Sequence, residues 1–366
     1  MTSPYECLPG RQFWKLAIEG KDPNSISSLY KKKFSIDGLK IATAGSCFAQ
    51  EIAKGLRKNG YDVIDSEPAP ESYLLRGKVA NSFGYGLYSA RHGNIYTARQ
   101  LFQLAREALG DSPLDPALYV WTKGGRYYDA LRPNVEPEGL SSPDEVVLQR
   151  LDHLRRFRRV LKECGLFVFT LGLTEAWMHD VSGLVYPTAP GVVAGDFDPD
   201  VYSFKNFRFF EIYEDFLAFR ELVLAVNSSA KFLITVSPVP LTATYCDAHV
   251  LSATVRSKSI LRAVAAELYE QFEDIDYFPS FEMFSTPFLG SALFKENRRS
   301  VHPSGVAAVM KVFFSEHIPN SGAELTASPI SDGKKQNQNA SSAPQEGEDP
   351  ICEDALLEAF AGGKKQ

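Results

Sequence analysis

The sequence has 366 residues, of which 44% are hydrophobic and 23% are charged, and its formal net charge is −6. These values are typical of a globular protein with a large buried core. The negative charge argues against a protein that binds nucleic acid through bulk electrostatics. No stretch approaches the ~20 apolar residues of a membrane span, and the N-terminus lacks the pattern of a signal sequence, so we expect a cytoplasmic protein.

The cysteines of the sequence predict free thiols. Their number is odd and no two are close together, which indicates neither a disulfide framework nor a zinc site. The sequence also contains no Walker loop and no Gly-x-Gly-x-x-Gly motif after a strand. We therefore expect reduced, mostly buried thiols, with neither a metal nor a nucleotide cofactor. The cysteines are Cys7, Cys47, Cys164, Cys246 and Cys352.

The first predicted elements are an arm, a strand, a sharp turn and a helix. Residues 1–38 are predicted to be an irregular arm that packs on the body of the protein. Residues 39–44 are an apolar run typical of a buried strand, and residues 48–56 have apolar side chains at helical spacing. Gly45 and Ser46 lie between them, and glycine gives a tight turn its conformational freedom.

This turn makes Ser46 a candidate nucleophile. The first residues of a helix point unpaired backbone N–H groups at such a turn, and these donors stabilise a developing negative charge. Two other interpretations stay open at this point. Ser46 can be an ordinary helix cap, and Cys47 can be the nucleophile instead, because helix N-termini activate thiolates.

Strands and helices alternate along the rest of the chain. Because helices separate most successive strands, the pattern predicts an α/β fold with a mostly parallel sheet covered on both faces. Ligands of such sheets bind beyond the carboxyl ends of the strands, where we expect Ser46, Gly172 and Ser237. The predicted elements are strands at 61–64, 166–171, 231–236 and 275–278, a loop at 81–94 followed by a helix up to 109, a hairpin at 121–128, helices at 143–163, 210–226, 257–272 and 301–314, and an insertion at 178–208.

The helix at 143–163 carries many basic residues that we expect to face solvent rather than to bind an anion. Its apolar face is predicted to be formed by Val147, Leu151, Leu154 and Leu161. The basic residues expected mostly outside that face are Arg150, Arg155, Arg156, Arg158 and Arg159. Three histidines are also expected at the surface, namely His153, His179 and His317.

The C-terminal residues differ from the rest in composition. Residues 319–366 contain eight Asp or Glu and four Lys, with almost no aromatic residues, which predicts a disordered acidic tail. Residues 354–360 fit a short helix that docks on a partner protein, and a solvated tail without a partner is the alternative. The predicted organisation is therefore an arm at 1–38, one domain at 39–318 and a tail at 319–366.

Residues 45–49 spell G-S-C-F-A, the motif that names the GSCFA family. The sequence resembles this family over residues 40–315. The family is similar to the SGNH/GDSL hydrolases, so the resemblance implies their three-layer α/β/α sandwich with a mostly parallel sheet. The stretches that support the resemblance are 81–84, 93–100, 170–177, 235–240, 257–259 and 277–282.

The resemblance also implies roles for individual residues. Ser46 matches the nucleophile of the first sequence block, and its own N–H is one expected oxyanion donor. Gly84 is the candidate for the glycine of the second block, whose N–H joins the oxyanion hole. The third block usually supplies an asparagine, but Thr174 stands in its place, and Asn81 is the alternative donor.

The general base is expected from the last block, usually Asp-x-x-His. The histidine is present as His302, but Arg299 replaces the aspartate and cannot accept an imidazole N–H. A backbone carbonyl or a carboxylate from elsewhere would then orient the ring. His249 is the second candidate for the base and His92 the third. The candidate carboxylates are Glu175, Glu282 and Glu296.

These residues predict a serine-dependent ester hydrolase or O-acyltransferase that forms an acyl-enzyme on Ser46. The resemblance points to acyl esters of carbohydrates or glycans, and aromatic residues in and beside the insertion offer stacking surfaces for sugar rings. The alternative is a catalytically inactive protein that binds a glycan or a partner on a hydrolase scaffold, which the missing aspartate favours. The aromatic residues are Trp177, Tyr186, Tyr202, Phe204, Phe207 and Phe209.

Overall fold

The computed structural model describes residues 3–21, 28–74, 78–110, 113–286, 293–317 and 356–362. The prediction of a disordered tail therefore lies outside the described residues, except at 356–362. There the chain forms a short 3-10 helix, Leu357–Gly362, which overlaps the end of the predicted docking helix. None of the described helices is both long enough and apolar enough to cross a membrane.

The described elements alternate between helix and strand through most of the chain. The helices are α1 Trp14–Ala17, α2 Cys47–Lys58, α3 Glu71–Leu74, α4 Lys78–Ser82, α5 Ala98–Leu109, α6 Pro143–Glu163, α7 Phe209–Val226, α8 Val250–Gln271, α9 Ser280–Ser285 and α10 Pro303–Glu316. The strands are β1 Ile41–Ala44, β2 Val120–Lys123, β3 Arg126–Asp129, β4 Leu166–Leu171, β5 Glu175–His179, β6 Val185–Tyr186, β7 Tyr202–Asn206, β8 Lys231–Val236 and β9 Ile275–Tyr277.

The central sheet confirms the predicted α/β fold. Within the described residues it has four parallel strands in the order β1-β4-β8-β9. Every residue of β1 and β4 is buried, as expected for strands that are covered on both faces. Successive side chains of β4 point to opposite faces, so Phe167 and Phe169 join one apolar layer while Leu166 and Val168 join the other.

Helices cover both faces of this sheet, which gives three layers. On one face, α5, α6, α7 and α8 pack their aromatic and aliphatic side chains against β4 and β8. On the other face, α2 and α10 pack together with the end of the N-terminal arm. Tyr30 and Ile36 of the arm are buried there, whereas Trp14, near its start, is 71% exposed.

The outer edge of β1 is closed by irregular chain rather than by a further strand. Ile41 forms an isolated parallel bridge with Val63. The Thr43 N–H donates to Ser89 Oγ at 2.9 Å, and the Ile95 N–H donates to Gly45 O at 2.8 Å. The backbone groups on this edge are therefore paired with residues 62–64 and with the loop that leads to α5, as buried peptide groups require.

Two smaller sheets lie outside the central one. The predicted hairpin is confirmed as β2 and β3, joined by Gly124 and Gly125, both at positive φ. The segment predicted as an insertion, residues 178–208, contributes β6, β7 and the end of β5 to a small sheet, in which β5 pairs antiparallel with β6 and with β7. Its strands are short and separated by glycine-containing turns, so the sequence did not present one long alternating pattern.

The prediction that the arginines of α6 face solvent was wrong for Arg150. Its guanidinium is buried, donates to Glu107 Oε1 at 2.9 Å and lies 3.2 Å from the Asp129 carboxylate. Arg155 and Arg159 are exposed, as expected. The buried face of α6 is rotated toward Arg150 because the hairpin and α5 supply carboxylates that compensate its burial.

Two histidines expected at the surface are also buried. The His153 Nδ1 lies 2.5 Å from Glu67 Oε1. Burial acts to raise the pKa of Glu67, but the neighbouring His153 and Arg132 bring it down to about 2. His317 is 1% exposed, and its Nε2 lies 3.0 Å from the Tyr30 hydroxyl. That hydroxyl donates to Asp276 at 2.7 Å, which leaves the His317 N–H to donate to Tyr30.

We predict that the neutral His317 makes folding sensitive to acid. Burial lowers the pKa of its ring from 6.5 to about 4. The unfolded chain therefore binds this proton at a higher pH than the folded chain does. The contribution of the neutral ring to stability is complete above pH 6.5 and is lost as the pH falls toward 4. His317→Gln keeps a donor for Tyr30 but cannot titrate. The free energy of unfolding, measured with urea, should fall between pH 7.5 and pH 5 by about 2 kcal/mol less in His317→Gln than in the parent protein.

The matched control is His249→Asn. His249 is exposed and its side chain caps α8, and asparagine caps helices equally well. This variant should keep the free energy of unfolding of the parent protein at pH 7.5. An unchanged pH dependence in His317→Gln would contradict the assignment of a buried neutral ring.

Candidate functional site

The turn between β1 and α2 can be made only with glycine at position 45. Gly45 has φ +143°, and a Cβ there would lie 2.9 Å from both Ala49 Cβ and Thr170 Cβ. Any larger residue would be strained in its backbone and would clash with two neighbours. Gly45 therefore lets β4 approach the start of α2 and directs Ser46 to the carboxyl edge of the sheet.

Ser46 holds the cap position of α2 without acting as a cap. Its backbone is extended, and its side chain accepts no hydrogen bond from the first turn of the helix. Across the described residues, the Ser46 hydroxyl has no hydrogen-bond partner, and the backbone N–H groups of Ser46 and Phe48 have none either. The side chain is 6% exposed. A hydroxyl and unpaired amide donors thus lie together at one turn.

The loop after β4 lies directly against this hydroxyl. A Cβ on Gly172 would be 3.4 Å from Ser46 Oγ and 3.0 Å from Tyr96 O. The N–H groups of Gly172 and Leu173 both donate to Tyr96 O at 3.0 Å. The expectation that Ser46 and Gly172 meet at the carboxyl edge of the sheet is therefore confirmed.

Helix α8 holds the same loop from the other side. The Lys258 Nζ donates to Gly172 O at 2.7 Å, and the Ser257 Oγ accepts from the Thr174 N–H at 3.1 Å. Lys258 is only 2% exposed. Lys258 was missed as a site residue at the sequence level, although residues 257–259 were among the stretches that carried the family resemblance.

Thr174 is sealed in the interior. Its side chain is 0% exposed, and its hydroxyl has no hydrogen-bond partner within the described part of the chain. A hydroxyl in this position cannot reach a ligand without movement of the loop after β4.

A cleft of about 320 Å³ begins one turn further along α2. Gly84 and Asn81, both expected near the oxyanion, lie in its wall. The Gly84 N–H donates to Asn81 O at 2.9 Å, so this amide is engaged in a turn in the present conformation. The described residues that line it are Gln50, Asn81, Ser82, Gly84, Leu87, Tyr88, Gly93, Asn94, Lys123, Tyr128, Asn134, Val135, Pro137, Val192, Val193 and Leu356.

A chain of side-chain hydrogen bonds joins this cleft to the turn. The Gln50 Nε2 donates to the Tyr88 hydroxyl at 3.1 Å, and that hydroxyl donates to Asn94 Oδ1 at 2.7 Å. The next residue, Ile95, donates its N–H to Gly45 O. Asn94 is therefore fixed beside the residue that precedes Ser46. It was missed at the sequence level, although it lies in the resembling stretch 93–100.

Neither candidate histidine is hydrogen-bonded to Ser46. His302 is exposed and caps α10: its Nδ1 accepts from the Ser304 N–H at 3.2 Å. His249 is exposed and caps α8 in the same way, through the Leu251 N–H at 3.2 Å. A neutral ring that accepts at Nδ1 carries its proton on Nε2, so neither ring presents a free Nε2 lone pair.

His302 nevertheless starts its helix at the same edge of the sheet as Ser46. Near the end of α2, a Cβ on Gly55 would touch Met310 of α10. Near its start, the ring centroids of Phe48 and Phe284 are 6.0 Å apart, and the Phe284 ring lies against Gly305 of α10. The two helices therefore run side by side in the same direction.

The third candidate base, His92, is buried behind β1. Its Nδ1 lies 2.7 Å from Gly93 O and its Nε2 lies 3.4 Å from Thr43 O. Burial lowers the pKa of the ring to about 4, so it is neutral at physiological pH. It contacts backbone carbonyls rather than Ser46.

The three candidate carboxylates have other partners or face solvent. Glu175 accepts from the Thr244 hydroxyl at 2.8 Å. Glu282 accepts from Arg262 Nε at 2.5 Å and from the Tyr277 hydroxyl at 2.8 Å. Glu296 is exposed. In the described residues, none of them contacts His302.

Cys47, the first residue of α2, is disulfide-bonded. The expectation of reduced thiols throughout is therefore wrong at this position, whereas Cys7, Cys164 and Cys246 are free. A sulfur that is already bonded to another sulfur is not a thiolate, so this state of Cys47 is incompatible with attack by its thiol. No local pattern predicts this bridge, because no second cysteine lies near Cys47 along the chain.

Within the described ranges, no group of three or more His, Cys, Asp or Glu side chains is placed to hold a metal ion. No curated protein matches the sequence. The model of the GSCFA family matches residues 40–313, which include the Ser46 turn, the loop after β4 and the start of α10. Since this match covers more than half of the sequence, the chain belongs to the GSCFA family.

Proposed function

We propose that the protein is a serine-dependent ester hydrolase or O-acyltransferase that uses Ser46 as its nucleophile. The observation that supports this most strongly is the uncapped Ser46 hydroxyl beside unpaired N–H groups at the start of α2. We also propose that the family belongs with the SGNH hydrolases, since the turn after the first strand of a parallel sheet is where such a nucleophile acts.

In the proposed reaction, Ser46 Oγ attacks the ester carbonyl while a base takes its proton. The tetrahedral intermediate then collapses, the C–O bond to the alcohol breaks, and the alcohol leaves with that proton. Water or a sugar hydroxyl attacks the acyl-enzyme in the second half, and the Ser46 hydroxyl is regenerated. Water gives hydrolysis and a sugar hydroxyl gives acyl transfer.

We assign the oxyanion donors to the Ser46 N–H and the Asn94 side chain. The Tyr88 hydroxyl donates to Asn94 Oδ1, which turns the amide nitrogen of Asn94 away from Tyr88. Gly84 and Asn81 form the adjacent wall of the cleft, and the Gly84 N–H can serve only after it leaves Asn81 O. The buried position of Thr174 disfavours it as a direct donor.

We assign the base to His302, with His249 as the second candidate. His302 begins α10 at the edge where Ser46 begins α2, and catalytic hydrogen bonds often tighten only when substrate is bound. For His302 to accept the Ser46 proton, its ring must give up the contact with the Ser304 N–H. A backbone carbonyl, or one of Glu175, Glu282 and Glu296 after rearrangement, would then orient the ring.

A glycan ester is the proposed substrate class. The strand that follows the Gly172 loop carries Trp177, whose ring packs edge-on against Phe197, Phe204 and Tyr245. Phe197 is 44% exposed and Tyr245 is 65% exposed, so this group presents aromatic faces on which sugar rings can stack. Tyr186 and Phe207, two other aromatic residues considered from the sequence, are buried and cannot serve in this way.

The second candidate function is a catalytically inactive protein that binds a glycan or a partner on the same scaffold. The capping hydrogen bonds of His302 and His249 favour it, because they leave Ser46 without an imidazole partner in this conformation. Direct measurement of acyl transfer to Ser46 separates the two functions.

We predict that Ser46→Ala abolishes covalent labelling by a fluorophosphonate probe and the hydrolysis of p-nitrophenyl acetate. The substitution removes Ser46 Oγ, which is the atom that is acylated in the proposed reaction. The control is Ser142→Ala, since Ser142 also begins a helix but caps it through the Glu145 N–H. This control should retain labelling and turnover. Equal labelling and equal turnover in the Ser46→Ala and Ser142→Ala variants would contradict the hydrolase and favour the binding protein.

We predict that His302→Ala lowers kcat by roughly 10²- to 10⁴-fold, the usual contribution of a general base. His249→Ala should change kcat by less than about threefold if His302 is the base. The measurement is the pH profile of p-nitrophenyl acetate hydrolysis for both variants. A loss of activity confined to His249→Ala would assign the base to His249 instead.

We predict that Lys258→Met lowers kcat by roughly 10- to 100-fold with little change in KM, because the Gly172 loop would no longer be held against Ser46. Lys258→Arg keeps a donor for Gly172 O and should restore part of the rate. The surface variant Lys162→Met is the control and should behave as the parent protein. Equal loss in Lys258→Arg and Lys258→Met would contradict a role through this hydrogen bond.

A further inference from the structure

The cleft that begins one turn beyond Ser46 has polar groups in its walls that no described residue satisfies. Gln50 is 4% exposed and its Nε2 donates to the Tyr88 hydroxyl, but its Oε1 accepts no hydrogen bond from the described residues. Tyr128 is 8% exposed, and its hydroxyl has no partner in the described part of the chain either. Neither of these two oxygens is sealed from solvent. They therefore mark the cleft as a place for a polar ligand.

The β2–β3 hairpin holds part of the cleft wall in place. The Lys123 Nζ donates to Val193 O at 2.8 Å, and the Gly195 N–H donates to Thr122 O at 2.9 Å. A Cβ on Gly195 would lie 2.9 Å from the Trp121 ring, so this close approach requires glycine. The hairpin thus fixes Lys123 and Val193 at the cleft. An ammonium group has three protons, so Lys123 keeps two of them for a ligand.

The charge of the cleft is positive. Lys123 is the one charged side chain among the described residues that line it. Because no described carboxylate shares this lining, an anion in the cleft meets an attractive charge and no repulsive one. Lys123 is exposed, so water and salt screen part of its charge. The cleft therefore favours a negatively charged ligand by a modest factor.

The mixed walls of the cleft distinguish between the two halves of a glycan ester. An acyl chain would cover the Gln50 Oε1 and the Tyr128 hydroxyl without giving either a hydrogen bond, which is costly for buried polar groups. A sugar ring supplies hydroxyls for these oxygens and C–H faces for the apolar part of the wall. The described apolar residues of the wall are Leu87, Val135, Pro137, Val192, Val193 and Leu356.

Gln50 connects the cleft to the candidate nucleophile. It follows Ser46 by four residues, about one helical turn, so the two lie on the same side of α2 and about 6 Å apart along its axis. Asn94, the proposed oxyanion donor, also lines the cleft. An ester on a hydroxyl of a sugar bound in the cleft is therefore close to Ser46.

We propose that this cleft binds an acidic sugar residue of the substrate glycan. The Gln50 Oε1 accepts from one ring hydroxyl, the Tyr128 hydroxyl pairs with another, and Lys123 binds the carboxylate of a uronic acid. Lys123 is then a specificity-determining residue that favours a uronate over the corresponding neutral sugar. The delivery of an ester to Ser46 rests on the proposed function, whereas the binding of the sugar does not.

Binding is tested with methyl glycosides that carry no ester. Methyl β-D-glucuronide is compared with methyl β-D-glucoside, and methyl α-D-galacturonide with methyl α-D-galactoside, by titrations that are followed by NMR. At least one uronide should bind roughly three- to tenfold more tightly than its neutral partner, and the difference should shrink at high salt. The absence of such a preference in both pairs would overturn the proposal.

Lys123→Gln should remove the preference for the uronide and leave the dissociation constant of the neutral glycoside within about twofold, because it removes a charge but keeps a polar donor. Lys123→Arg keeps the charge and should keep the preference. The control is Lys162→Gln, an exposed residue of α6 that should behave as the parent protein. A preference that survives in Lys123→Gln would contradict the assignment of the carboxylate to Lys123.

Tyr128→Phe should weaken the uronide and the neutral glycoside by a similar factor, roughly three- to tenfold, since it removes a hydroxyl and no charge. Tyr127→Phe is the matched control, because Tyr127 precedes it on β3, points to the other face of the strand and is not among the residues that line the cleft. Unchanged binding in Tyr128→Phe would overturn the contact with this hydroxyl.

The relation to Ser46 is tested by protection from fluorophosphonate labelling. The preferred uronide, at a concentration equal to its dissociation constant, should halve the rate of labelling, and Lys123→Gln should need more uronide for the same protection. Labelling that the bound uronide does not slow would overturn the delivery of the ester to Ser46. Absence of labelling even without sugar would refute the serine hydrolase, while the titrations would still decide the binding of the sugar.

Discussion

The site depends on the absence of a side chain at Gly45. With φ +143° and two Cβ atoms 2.9 Å from the place where its own would be, this residue lets β4 and the first turn of α2 come into contact. Because of that contact, the Gly172 loop lies against the Ser46 hydroxyl, and Lys258 can hold the loop from α8. A methyl group at position 45 would separate these elements and with them every group that surrounds the serine.

Ser46 differs from the polar residues that begin four other described helices, whereas α1, α7 and α9 also start without a side-chain cap, at Phe13, Arg208 and Pro279. Thr97 begins α5 with a full capping box, Ser142 caps α6, and even His249 and His302 use their rings to cap α8 and α10. Unpaired N–H groups at a helix start normally lower stability unless a polar side chain accepts a hydrogen bond from them. Ser46 leaves these N–H groups unpaired, which is the pattern expected where the donors bind a ligand rather than stabilise the fold.

The sequence was sufficient for the four strands of the central sheet and the helices on it, because long apolar strands and helical periodicity are local signals. The strand predicted at 61–64 was wrong, since this segment forms only one isolated bridge, between Val63 and Ile41. The prediction also failed at α6, where Arg150 and His153 are buried against Glu107, Asp129 and Glu67. Those carboxylates come from distant parts of the chain, and a charged residue in a helix is ordinarily assigned to solvent. Within the candidate site, Ser46 was selected from its position between a strand and a helix and from its motif. Asn94 and Lys258 were missed because their importance lies in contacts across the fold, with Tyr88 and with Gly172 O.

The loop that runs along the outer edge of β1 has a consequence for recognition. Hydrogen bonds from this loop to Thr43 and Gly45, and from residues 62–64 to Ile41, already use the main-chain groups that a neighbouring strand would need. A foreign peptide cannot extend the sheet on this side, next to Ser46, by β-augmentation. Any molecule that approaches from there must be selected by side chains, so its shape and chemical groups, rather than its backbone, determine whether it binds.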